Sequence, residues 1–169
     1  MTLQQIFASF IGTFFGFILA IVLFLITDTV KARSAKKILR KHLKRELEYD
    51  ITLIQKFIDD IDKILHKITT DDSSVSTYLK YNYLQRSFIQ RAFETGIMYD
   101  ELNNDDISQL NALIMHCNFG SEQYVNELIQ SWRERRQEQK GALGKFEFEK
   151  ELLQNYKKLL EEILKKLTK

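Results

Sequence analysis

An all-α chain follows from three features of the sequence. There is no proline, the N-terminal run carries no charge, and apolar residues recur at steps of three and four through much of the remainder. At ordinary usage of ~5% proline a chain this long would hold about 8. With none, and with only six glycines among 169 residues, few positions force a helix to stop. The expected architecture is one N-terminal transmembrane helix (1–30) that continues through a basic juxtamembrane collar (31–45) into a cytoplasmic four-helix antiparallel bundle (46–169).

The first element is the run from Ile6 to Thr27, which has no charged residue. At ~1.5 Å per residue it makes about 33 Å of helix, enough for a ~30 Å hydrocarbon core with some tilt. A cleaved signal peptide would want a basic leader and a shorter apolar run. "MTLQQ" has no basic residue and the run is long, so an anchor is expected. Ala8, Gly12, Gly16 and Ala20 recur every fourth residue, which places small side chains along one side of this helix. Lipid offers little hydrophobic drive between helices, so close backbone approach along small residues does that work. Phe10, Phe14, Phe15, Phe17 and Phe24 cover most of the rest. The span is therefore expected to pack against another helix, making the protein a homo-oligomer.

The second element is the collar. Lys31, Arg33, Lys36, Lys37, Arg40, Lys41, Lys44 and Arg45 fall within fifteen residues that contain no acid, whereas residues 1 to 30 hold only Asp28. Positive charge after the span places the C-terminal body in the cytoplasm and the N-terminus outside, in the cell membrane. The same residues attract anionic lipid headgroups, at about 1 kcal/mol each near the surface. Nucleic acid is disfavoured as a partner, because a basic helix pressed against a bilayer leaves little room for a duplex. Eight of the 25 basic residues lie in the collar, which leaves 17 against 22 acids from Glu46 onward and a net of −5 for the body.

The body reads as four helices. Leu47, Ile51, Ile54, Ile58, Ile61, Leu65 and Ile68 alternate steps of four and three, widened by Phe57 and Ile64, so the span's helix is expected to continue to about Thr69. "TTDDSSVS" (69–76) is a capping and turn cluster. A second helix is expected over 75–95, closed by Gly96. "IMYDELNNDDIS" reads as a connection, with Asn104 or Asp105 capping a third helix. That helix is expected to run unbroken over 105–139, because Ile107, Leu110, Ile114, Cys117, Tyr124, Leu128 and Trp132 hold one stripe across "HCNFGSE". "GALG" (141–144) is the expected break before a last helix over 145–168, whose core residues would be Phe148, Leu152, Tyr156, Leu159, Leu160, Ile163 and Leu167. Short loops make neighbours antiparallel, which is expected to bring Lys165, Lys166 and Lys169 back near the bilayer.

Candidate chemistry is sparse. His42, His66 and His116 are scattered, and a zinc site needs about four suitably spaced ligands. Adjacent His116 and Cys117 point about 100° apart on a helix, so no metal is expected. Asp59/Asp60, Asp71/Asp72, Asp100/Glu101 and Asp105/Asp106 read as solubility and capping pairs. Cys117 has no disulfide partner and reads as a small buried hydrophobe. Phosphate-binding loops, GxSxG and HExxH are absent, so neither catalytic residues nor a cofactor is expected.

"FIGTFFGFILAIVLFLITDTVKARSAKKILRKHLKRELEYDITLI" and "RAFETGIMYDELNNDDISQLNAL" resemble small prokaryotic membrane proteins of unassigned function. These have one glycine-bearing span, a basic collar and a helical cytoplasmic domain. The resemblance implies architecture and carries over no functional residue. The expected function is that of a non-enzymatic, self-associating membrane protein. It presents its body to a cytoplasmic protein partner as a scaffold, sensor or accessory subunit. The alternative is an effector whose spans cluster into a pore on triggering; only Ser9, Thr13 and Thr27 could line it.

Overall fold

The computed structural model describes residues 3–72, 74, 78–117, 119–135 and 138–168. These hold six α-helices and no strand: α1 (Leu3–Thr69), α2 (Ser87–Glu94), α3 (Ile97–Glu101), α4 (Asn104–His116), α5 (Phe119–Arg133) and α6 (Gln139–Lys166), with a 3-10 turn at Tyr81–Tyr83. The chain divides into two compact units, Met1–Leu39 and Arg40–Lys169, and α1 contributes to both.

In the first unit every side chain from Thr13 to Ile38 is exposed. Phe15, Phe17 and Phe24 are 66%, 65% and 69% exposed, part of a large contiguous apolar surface. Among the described residues this is the one helix long and apolar enough to cross a membrane, and none of its apolar stretch is buried. A soluble core helix of the same composition would bury at least one stripe. Thr29 donates its hydroxyl to the Leu25 carbonyl at 2.7 Å, so that polar group is satisfied within the helix.

In the second unit α1 carries one wall of the core. Leu43, Leu47, Asp50, Ile54, Phe57, Ile58, Ile61, Ile64 and Ile68 are buried, whereas Ile51 and Leu65 are only half-buried. The expected stripe is thus kept at Leu47, Ile54, Phe57, Ile58, Ile61, Ile64 and Ile68, and Leu43 and Asp50 join it. Asp50 takes a core slot that an apolar pattern passes over.

Ion pairs and hydrogen bonds set the directions of the helices. Along α6, Gln139 donates to the Ile68 carbonyl at 2.9 Å, Lys150 pairs with Asp62 at 2.6 Å and Lys157 donates to Gln55 at 2.8 Å. Helix α6 is thus antiparallel to α1. Lys166 pairs with Asp106 at 2.5 Å, and His116 meets Glu149 at 2.9 Å, so α4 is antiparallel to α6. Arg40 pairs with Glu101, which brings the end of α3 to the start of this unit's α1 segment. Lys166 lies at the start of α4, a few residues on from Glu101; Lys169 lies outside the described residues.

Four expected boundaries are corrected. The second helix is confined to Ser87–Glu94; Val75 lies outside the described residues, and Tyr78–Arg86 is not α-helical. Its backbone is captured from outside. Asn126 brackets Leu79, accepting from its N–H at 3.0 Å and donating to its carbonyl at 2.9 Å. The connection after Gly96 contains α3, and the cap of α4 is Asn103, not Asn104 or Asp105. Asn103 accepts from the Asp106 N–H while Asp106 accepts from the Asn103 N–H, a reciprocal capping box. The third helix breaks at Cys117, three residues before Gly120, and burial passes to Val125, Ile129 and Trp132. "GALG" is helical; the chain turns instead just before α6, where Arg135 has φ 55°. Consequently Ala142, Phe146 and Leu153 join the α6 core, Phe148 is exposed, and Leu152 and Tyr156 are half-buried.

Gly96 takes φ 78° between α2 and α3, where an added Cβ would meet no atom within 4 Å. Gly96→Ala is therefore expected to cost about 1–2 kcal/mol from backbone conformation alone. Asn103→Ala should cost about 1 kcal/mol by removing the cap. Urea unfolding followed by circular dichroism in mild detergent measures both, and an unshifted midpoint in either would contradict the local geometry.

Candidate functional site

Gly16 and Ala20 lie on the exposed part of α1, and a Cβ built on Gly16 meets nothing within 4 Å. Ala8 and Gly12 are helical, and their side-chain surroundings lie outside the described residues. In the collar, Lys31, Arg33, Lys36, Lys37, Arg40, Lys41 and Arg45 are exposed and Lys44 is half-buried. Arg40 is tied to Glu101.

Beyond the collar, α1 becomes a clamp for the α2–α3 hairpin. Helix α2 begins without a side-chain cap of its own, because Arg86 at the cap position makes no such bond. Glu46, one turn after His42 on α1, supplies it. Its carboxylate accepts the Phe88 N–H at 3.0 Å and the Ile89 N–H at 2.9 Å. Those amides are among the four that a helix start leaves unpaired, and a negative charge there also matches the helix dipole. Asp50, one turn further on, accepts the Gln85 N–H at 2.9 Å. His42 stacks on Phe88 with ring centroids 4.9 Å apart. Both carboxylates are buried, at 2% and 3% exposure. Burial, opposed by the Gln85 hydrogen bond and reinforced by the Glu46 charge, pushes the Asp50 carboxyl up to about 7. A cavity of about 20 Å³ adjoins Asp50, Arg86 and Cys117, a size that fits about one water.

A second polar cluster joins α4, the 3-10 turn and α6. Tyr81 donates its hydroxyl to Glu149, and His116 Nε2 contacts the same carboxylate oxygen at 2.9 Å. Phe57 and Tyr156 pack around the cluster, with ring centroids 5.2 Å from Tyr81 and 5.8 Å from His116. Burial and the neighbouring Glu149 charge hold the Tyr81 hydroxyl firmly protonated, so it acts as a donor. Burial pushes the adjacent Cys117 thiol up to about 12, which keeps it un-ionised at neutral pH. Beside His116 and Glu149 opens a cleft of about 530 Å³, walled by Tyr124, Leu128, Lys145 and Phe148. Among the described residues no group of three or more His, Cys, Asp or Glu side chains is placed to hold a metal ion.

No protein-family model matches the chain, and neither curated proteins nor solved structures yield a match. Sequence reading missed Glu46, Asp50, Tyr81, Asn126 and Glu149. For two of them a signal exists: Leu43, Leu47, Asp50 and Ile54 keep the four–three alternation that a buried stripe requires, with Glu46 beside it. Tyr81 and Glu149 have none, because they meet only in the folded chain.

Tyr81→Phe is expected to destabilise the second unit by about 1.5–3 kcal/mol, the usual worth of a hydrogen bond to a charged group. Chemical denaturation of the full chain in detergent reads this, and a loss below about 0.5 kcal/mol would remove Tyr81 from the cluster's support.

Proposed function

We propose that this chain is a non-enzymatic, membrane-anchored helical protein that self-associates through its span and presents its body to a cytoplasmic partner. The observation that supports this most is the exposure of α1 on every side from Thr13 to Ile38. A helix so apolar over its first part needs lipid or other helices around it. In this reading Ala8, Gly12, Gly16 and Ala20 form the groove for a second copy, and the open space at Gly16 leaves it available for close approach. The collar then fixes orientation, with the N-terminus outside, and holds anionic headgroups. The body acts as an antiparallel bundle-type platform, built on α1, α4, α5 and α6. The cleft beside His116 and Glu149, with Tyr124 and Phe148 exposed at 53% and 65%, offers aromatic anchors to a protein partner.

Replacing Gly12 and Gly16 together with Ile is expected to convert an oligomer into a monomer in mild detergent, read by light scattering with size exclusion. A wild-type monomer, or an assembly indifferent to the change, would defeat the packing claim. In sealed membrane vesicles, protease added from the cytoplasmic side should digest the body and protease from the other side should leave it intact. Replacing the collar's eight basic residues with Gln should give mixed orientation. Leakage of an encapsulated dye on reconstitution would favour the pore-forming alternative instead.

A further inference from the structure

The contact between α1 and the α2–α3 hairpin has a feature that simple packing does not require. Two carboxylates, Glu46 and Asp50, stand one helical turn apart on the same buried face, and between them they hold three backbone N–H groups at the start of α2. Two ionised carboxylates so placed repel each other where water cannot screen them. Facing Asp50 are Glu46 from its own helix, Arg86 from the segment before α2 and Cys117 from the end of α4, while α6 presents Leu160. Arg86 is the one cation in that set. It offsets part of one charge, and burial dominates the balance.

We propose that Glu46 and Asp50 are a proton-operated latch: with a proton on Asp50 the hairpin is held on α1, and loss of that proton to solvent loosens it. A protonated Asp50 keeps a carbonyl oxygen for the Gln85 N–H and leaves a single charge, on Glu46, at the α2 dipole. The small cavity beside Asp50 is lined mainly by Ile54, Leu84, Ile89, Leu110 and Leu113, an apolar setting that favours the neutral carboxyl while the hairpin is closed. Opening the hairpin exposes Asp50, which restores an ordinary carboxylate. Burial holds the closed-state carboxyl up at about 7, so the closed state keeps its proton over a range in which the open state has released it. Acid therefore favours the closed hairpin: the advantage is full below about pH 4, shrinks as pH rises from about 4 to 7, and is gone above that. The device sits wholly within Arg40–Lys169, so it stands whether the span is monomeric or paired.

The test is amide hydrogen exchange in the full chain in lipid nanodiscs, with rates corrected for intrinsic pH dependence. Protection of the Gln85, Phe88 and Ile89 amides is expected to fall about tenfold per pH unit between pH 5 and 7 and to level off above. Asp50→Asn keeps an acceptor for Gln85 and is expected to abolish that slope, leaving protection high at pH 7. Glu46→Gln removes the neighbouring charge and is expected to move the levelling point to lower pH. Flat wild-type protection over this range, a slope that survives in D50N, or a levelling point unmoved in E46Q would each overturn the latch.

Discussion

Helix α2 has no cap of its own, and α1 supplies one from another part of the chain. That borrowed interaction organises this end of the second unit. Once Glu46 holds the start of α2, the left-handed Gly96 turns the chain into α3, Glu101 reaches Arg40, and the Asn103–Asp106 box launches α4 from the same place. Lys166 then closes on Asp106, whose carboxyl it holds below the ordinary range through their hydrogen bond, so α6 ends where α4 begins. Each step is local, but the sequence of steps depends on one carboxylate entering a core that charge would normally avoid.

The gross architecture was legible in the sequence because it rests on quantities that add along the chain. Absence of proline, a long uncharged run and a repeating four–three step each predict helix, and all-helical structure with a long apolar N-terminal helix is what the described residues show. Gly96 was legible for a stricter reason, since a left-handed backbone strongly prefers glycine. Cys117 was legible as a buried thiol.

The misreadings share a physical cause. Tyr78–Arg86 looks helical by its apolar residues, yet its backbone bonds are taken by Asn126 and Asp50, partners far along the chain. The stripe through "HCNFGSE" can be continued on paper, yet the packing surface changes there from Leu110, Leu113 and Cys117 to Val125, Ile129 and Trp132, and the helix breaks to follow it. Gly141 and Gly144 suggest a break, but α6 runs through both. Periodicity reports which side chains seek a core. It is silent on which backbone groups another residue will claim.

Trp132, the sole tryptophan of the chain, lies 2% exposed, finds no acceptor for its Nε1 among the described residues, and has the Arg135 guanidinium 5.4 Å from its ring centre. Its dry surroundings favour short-wavelength emission, and solvent entry would redden it. Because the long apolar stretch of α1 contains no indole, ultraviolet fluorescence of the intact protein is an optical gauge of how tightly the second unit is folded, readable without a label.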